Sequence, residues 1–412
     1  MGGKPNLCGF RIKCQTPSKP YTVIPLKIPA YLDYAATTPM APEAVDAMLP
    51  YLTSSGNFAN AASGQHSYGQ NAASAIENAR SAMAHGLRCN PKDILFTSGA
   101  TESNNLAISG FMLGYRNLGN HIVTSAYEHK SVLDCCRHLE SQGIRVTYLR
   151  PGSDGVLALD SILNALTDET ALVSLMHVNN ETGVMQDIGC IAHALEAKGI
   201  AFHVDAAQSA GKVPIDLSAL PITFLSLSAH KFYGPKGIGC LYVSNRKNTR
   251  LKPLVYGGGQ EFGLRPGTLP THQIAGMAAA LALACARQEA DAGHCRQLRQ
   301  TLRVALSKLE GVHWHGNQQQ AVPHIVNISF DGVGADALLI ALRDSVAISS
   351  GSACNSGAIE PSHVLRAMGI EGDSLYGAVR ISFGRYTTAT DIEQAGLAIC
   401  EAVIRLRKLA SE

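Results

Sequence analysis

The chain has almost no excess of charge: 34 Lys and Arg stand against 32 Asp and Glu, a formal net of +2. That balance predicts neither a nucleic-acid nor an acidic-membrane partner for the chain as a whole, and leaves open only a local basic patch. No apolar run reaches the length of a membrane-spanning helix, and no hydrophobic region opens the chain as a secretory signal would. The 11 cysteines include no C-x-x-C pair and no Cys/His spacing of a zinc site, so no metal centre is expected. An odd, scattered set fits a reducing cytoplasm, with thiols such as Cys240 and Cys285 acting as small buried apolar groups. No G-x-G-x-x-G follows a strand with an acidic partner downstream, which sets aside a nicotinamide enzyme. Internal repeats and low-complexity tracts are missing too.

What is present is length and apolar content. With 412 residues, 46% of them hydrophobic, the chain has enough material for two or three domains. Residues 1–30 carry Lys4, Arg11, Lys13, Lys19 and Lys27, several prolines and no acid, and read as a poorly ordered basic extension. From Tyr31 onward, short apolar runs alternate with helical patterns. Strands are expected at 93–97, 121–124, 144–149, 171–178, 201–204, 222–227 and 238–243, and helices at 130–142, 159–166 and 187–198. This order implies βαβ units, a mainly parallel sheet and an α/β fold, with active residues gathered at the C-terminal ends of strands. A long helix over 273–309 leads to strands at 321–330 and 379–383, helices at 336–344 and 391–408, and a capped helix after Pro361.

Chemistry concentrates at a few of these junctions. Lys231 sits in the polar turn Ser-Ala-His-Lys-Phe-Tyr-Gly-Pro between two apolar strands, and Asp205 ends a short buried strand. A lysine is ordinarily a solvated surface charge. Paired with a carboxylate at a sheet's C-terminal edge, it suggests a pyridoxal phosphate site: the amine for the Schiff base, the acid for the pyridinium nitrogen. Ser98-Gly-Ala-Thr-Glu-Ser-Asn-Asn105, running into a helix from Leu106, reads either as an ordinary cap at Ser98 or Thr101 or as a phosphate cradle. His129 and Asn180 also follow strand ends, where each is equally a helix-start or turn residue. The glycine-rich stretch 256–268 is a linker or, through Arg265 and Thr268, a phosphate contact. His313 and His315 lack further ligands nearby and read as surface or strand. Cys354 alone among the cysteines after the extension lies in a loop, Ser-Ser-Gly-Ser-Ala-Cys-Asn-Ser-Gly, where a thiol is either a bystander or a nucleophile.

Leu-Asp-Tyr-Ala-Ala-Thr-Thr-Pro, Thr-Ser-Gly-Ala-Thr-Glu-Ser-Asn-Asn, His-Val-Asn-Asn-Glu-Thr-Gly, His-Val-Asp-Ala-Ala-Gln, Ala-His-Lys-Phe-Tyr-Gly-Pro-Lys-Gly and Ser-Ser-Gly-Ser-Ala-Cys occur here in that order. Over residues 31–408 the sequence resembles the class V aminotransferase-like cysteine desulfurases. The resemblance implies a pyridoxal phosphate enzyme of fold type I, with a seven-stranded, mainly parallel sheet in a large domain at 41–287. Residues 31–40 and 288–412 would form a smaller α+β domain. It implies that Lys231 binds the cofactor, Asp205 pairs its ring nitrogen, His129 stacks on the ring, and Asn180 and Gln208 contact the ring oxygen. Ala100, Thr101, Ser228 and His230 would hold the phosphate, with Thr268 reaching in from the second subunit of a homodimer. Arg380, helped by Asn60, and with Asn180 beside it, would bind the substrate carboxylate, and Cys354 would take sulfur from L-cysteine for an acceptor protein. The Leu-Arg-Pro-Gly-Thr-Leu-Pro and Pro-Ser-His-Val-Leu-Arg-Ala-Met-Gly wording is similar to the desulfurases of DNA phosphorothioation; iron–sulfur assembly and tRNA thiolation are the other destinations implied. A selenocysteine lyase or aminotransferase of the same fold is the nearest alternative, and a non-catalytic binding protein the alternative of another class.

Overall fold

The computed structural model describes residues 29–115, 119–247, 249–351 and 361–411. The expected extension lies outside it except for residues 29 and 30, and so does Cys354.

The apolar runs become strands because they can be buried on both faces. Ile94–Thr97, His121–Ser125, Phe224–Ser228 and Gly239–Val243 are buried at every residue. This is the pattern of strands covered by helices on either side. Seven strands join in the order Ile94–Thr97, Gly239–Val243, Phe224–Ser228, Ala201–Asp205, Thr170–Met176, His121–Ser125, Arg145–Leu149. The last five pair in parallel, whereas Gly239–Val243 runs antiparallel to both neighbours. Its reversal follows from the connection: the turn from Ala229 to Ile238 holds one short 3-10 segment and no crossover helix, so the chain can only fold back.

A second sheet is antiparallel, in the order Ser349–Ser350, Val379–Ser382, Ile325–Phe330, Val312–His315. The helix Thr271–Leu306 is continuous and bridges the two cores. Ile274, Met277 and Leu281 pack with the large sheet's helices, and Cys295, Leu298, Leu302 and Leu306 pack under the second sheet. The same second core takes in Leu32, beside the short strand Ala30–Tyr31, which pairs in parallel with Val346–Ala347. Residues near the beginning of the described chain are thus fixed beside residues near its end.

Several local expectations change. The helix after Gly99 starts at Ala100 rather than Leu106, so the polar run Thr101–Asn105 forms its first turns, and residues 106–110 are a π-helical segment. Neither Ser98 nor Thr101 caps it: Gly99 occupies the cap position with φ 154° and ψ −179°, a conformation open to glycine. Strand 321–330 shortens to Ile325–Phe330. His313 and His315 resolve as strand residues. Among the described residues, no helix is long and apolar enough to cross a membrane.

Candidate active site

Parallel strands leave their C-terminal ends on one edge of the sheet, and there a cavity of about 670 Å³ opens. Ala100, Thr101, His129, Asn180, Asp205, Gln208, Ser228, His230, Lys231 and Arg380 all line it. Asp205 is the last residue of its strand, Ser228 the last of the next, and Lys231 closes the 3-10 turn that follows. Arg380 comes from the second sheet, so the cavity lies between the two cores.

Lys231 Nζ donates to the carbonyls of Ala35 at 2.5 Å and Ala36 at 2.8 Å. Burial, with the Arg380 cation nearby, brings its ammonium down to about 8, against the raising effect of Asp33 and Asp205. The amine therefore carries a larger neutral fraction near neutral pH than an ordinary lysine does, as a condensing amine requires.

Asp205 is tied down by groups that the sequence analysis missed. Its Oδ1 accepts from the Ala207 N–H at 2.9 Å, and its Oδ2 accepts from Asn104 Nδ2 at 2.8 Å. The same Asn104 nitrogen donates to Ser131 Oγ at 2.8 Å, and Ser131 Oγ lies 2.8 Å from His129 Nδ1. The Ser131 N–H also donates to that Nδ1, at 3.1 Å, so Nδ1 is an acceptor and the neutral ring carries its proton on Nε2. Burial pushes His129 below its ordinary value, which agrees with a neutral ring. One chain of hydrogen bonds thus orients both the carboxylate and the imidazole. The available signal was helical spacing: with the helix begun at Ala100, Asn104 falls one turn inside it, on the sheet side, fully buried.

Arg380 is held at both ends of its fork. Nη2 donates to Asp33 Oδ1 at 2.8 Å and Nη1 to the Asn180 carbonyl at 3.0 Å, while Nε is buried without a hydrogen-bond partner among the described residues. Asp33, quoted within a motif but given no role, also accepts from Ser349 Oγ at 3.2 Å. His230 faces Thr37 at 3.1 Å, and burial brings it down to about 4.

Not every candidate arrives. Asn60 lies in a separate hollow with Arg80 and Glu261, and its Oδ1 caps its own loop at the Ala62 N–H. Within this chain it is not beside Arg380. Thr268 is exposed and does not line the cavity. Arg265 is not free for a phosphate, since Nε donates to Glu102 Oε1 at 2.9 Å. The glycine-rich stretch is more than a linker: Glu261 is buried and takes Arg80 at 2.7 Å and the Phe96 N–H at 2.8 Å.

The donor set fits pyridoxal phosphate. Among the described residues, the side-chain oxygens of Asn180 and Gln208 are buried at the cavity without partners, as groups awaiting a ligand would be. The helix at Ala100 has no side-chain cap, and a Cβ at its cap residue Gly99 would lie 3.4 Å from the Ser228 hydroxyl, so the uncapped turn and that hydroxyl sit side by side as a phosphate would need. Asp205 and Lys231 line the same cavity, so an anion for a ring nitrogen and an amine for a Schiff base are both to hand.

Comparison with known proteins agrees with this geometry. The family model for aminotransferase class-V matches residues 30–395. A cysteine desulfurase IscS of Pseudomonas putida (strain W619) is 48% identical over 385 residues, spanning 93% of this chain and 95% of the relative. A solved NifS-like protein superposes with a TM-score of 0.83 at 31% identity, covering 93% of this chain and all of the other (100%). DndA from Streptomyces lividans does so with a TM-score of 0.74 at 42% identity, over 86% and 99%. Family model, relatives and cavity converge, and the chain belongs to the class-V aminotransferase family, among its pyridoxal phosphate-dependent cysteine desulfurases.

Proposed function

We propose that this cavity removes sulfur from L-cysteine, with Lys231, Asp205, His129, Arg380 and Cys354 in the leading roles. The observation that carries the assignment of roles is the convergence, on one cavity, of a partly neutral buried amine, a fixed carboxylate and a substrate-sized arginine fork. Bound pyridoxal phosphate supplies an electron sink conjugated to the substrate's α-carbon. Asp205, kept in place by Asn104, would hold the ring nitrogen, and Asn180 and Gln208 would serve the ring oxygen. Ala100, Thr101, Ser228 and His230 would hold the phosphate. Arg380 exchanges Asp33 for the substrate carboxylate, which it can hold through two parallel N–H donors. Lys231, with an amine that titrates near neutrality, moves the proton at the α-carbon.

The thiolate of Cys354 then attacks the substrate's sulfur. An S–S bond forms, the C–S bond breaks with its electron pair left on carbon, and that carbon takes a proton. L-Alanine leaves and a persulfide stays on Cys354, so atoms and electrons balance without an external reductant. Cys354 falls in the segment between Gly351 and Pro361, flanked by cavity residues Ser350 and Gly351. The persulfide passes to an acceptor protein in the cytoplasm. Destinations in iron–sulfur assembly or DNA phosphorothioation are supported by the likeness to proteins named IscS and DndA, respectively. A homodimer, with Thr268 serving the partner's cavity, accounts for that threonine's exposure. Residues 41–287 would form the large domain, and 31–40 with 288–412 the small one.

Alanine release from L-cysteine by wild type and Cys354→Ser tests the reading. The variant is expected to keep the cofactor's visible absorbance and lose alanine formation. Undiminished turnover would remove Cys354 from the mechanism and favour a lyase or transaminase.

A further inference from the structure

One buried acid at this cavity is used by none of the steps above. Glu181 is 2% exposed and lies beneath the point where the chain departs toward Cys354 and returns from it. On the returning side, the Ser362 hydroxyl donates to Glu181 Oε2 at 2.5 Å while accepting from the Leu365 N–H at 3.1 Å. On the departing side is Gly351. A Cβ there would lie 2.0 Å from the same Oε2 and 3.0 Å from the Ser362 Cβ, so the backbone rests directly on the carboxyl and on the serine. This close approach, rather than a turn, is what requires glycine at 351. Glu181 itself is fixed, because its N–H donates to Asn179 Oδ1 at 2.9 Å and the next carbonyl upstream, that of Asn180, accepts from Arg380.

We propose that Glu181 is a positioning residue for the sulfur-attack step: it clasps Gly351 to Ser362 and thereby sets the two ends of the chain that carries Cys354. The inference rests on the reading of Cys354 as nucleophile. The clasp has a chemical state. Burial raises the Glu181 carboxyl to about 7, against the lowering effects of the Ser362 hydroxyl and of the Arg380 and Lys130 cations. Asp33, paired to Arg380, and His363, next to Ser362 and held to the Glu128 carbonyl, complete the charged and titratable surroundings. An ionised carboxylate accepts strongly from the serine; a protonated one accepts weakly. The clasp therefore holds above the titration and loosens below it.

The test uses holoenzymes of wild type, Glu181→Gln, Ser362→Ala, the double variant and Cys354→Ser, assayed for alanine release across neutral pH. Glu181→Gln keeps size and is expected to lower kcat roughly tenfold, the worth of one charged hydrogen bond, with KM for L-cysteine nearly unchanged. Ser362→Ala should act in the same direction, and the double variant should lose no more than the worse single one, because both break one contact. Lys231 imposes an acid-side fall in kcat of its own, so Glu181→Gln should keep a fall but lose the steeper part that titrates near 7 in wild type. An unchanged kcat and pH profile, additive losses, or a rise in KM alone would overturn the clasp. If Glu181→Gln does not fold, Ser362→Ala and its pH profile decide the matter. The two levels separate cleanly: turnover by Cys354→Ser removes the nucleophile, whereas a dead Cys354→Ser beside a fully active Glu181→Gln removes only the clasp.

Discussion

Replacing Arg380 with methionine should raise the titration midpoint of Lys231, and the structure gives the size of the effect. Burial and the Arg380 cation together bring the amine from 10.5 to about 8. At pH 7.5 an amine titrating at about 8 is roughly one-quarter neutral, whereas an unshifted lysine is neutral in about one molecule per thousand. The site therefore multiplies the reactive form by about two hundred. Arg380→Met deletes a like charge and frees Asp33, whose own effect is to raise the value, so the midpoint should climb by roughly one unit. The assay is the rate at which the cofactor-free chain captures pyridoxal phosphate, followed by absorbance from pH 6 to 10. Wild type should show a rise centred near 8, and the variant a rise displaced to higher pH. The same shift sets a stability cost. A lysine whose folded value lies below its unfolded one destabilises the fold while it is charged, fully below pH 8, and the cost fades as pH rises toward 10.5. A shift of this size corresponds to at most about 3 kcal/mol, reduced by the lysine's partial exposure. Lys231→Met should accordingly melt higher than the cofactor-free wild type at neutral pH, and the difference should close at alkaline pH. A wild-type midpoint near 10, or one that Arg380→Met leaves in place, would refute the reasoning.

Two further predictions test the surroundings. Asn104→Ala removes one hydrogen bond from the Asp205 carboxylate and one from Ser131; a loss of about 1.5–3 kcal/mol in cofactor or transition-state stabilisation is expected. It should be read as a roughly tenfold or larger rise in the cofactor's Kd or fall in kcat, and both constants at wild-type values would sink it. Lys212 buries its Nζ without a hydrogen-bond partner among the described residues, although the residue is partly exposed, and burial brings it down to about 7. Lys212→Met should raise Tm at pH 7, by no more than a few kcal/mol in stability, with the gain shrinking toward pH 10; no gain at pH 7 would contradict this account.

The sequence by itself determined the alternation of strands and helices, because apolar period and turn chemistry are local. Hence the parallel sheet and the placing of Asp205, Ser228 and Lys231 at its C-terminal edge were legible, as were the motifs that gave the family. Local reasoning failed where a preference is overruled by what packs against it. The polar run Thr101–Asn105 reads as the approach to a helix from Leu106 but is itself helix, and Asn104 and Ser103 find buried partners in Asp205 and Thr97. Arg265 reads as free but is taken by Glu102. Only the tertiary structure decided that Asp33 would meet Arg380 across 347 positions of chain, that Glu181 would meet Ser362 across 181, and that Asn60 would lie elsewhere. Each core draws together segments far apart in the chain: Asp33 and Arg380 meet at the second sheet, and Ser362 opens a helix packed into the first core. No spacing along the chain encodes them, because a distance in space between elements depends on the packing of all the elements between.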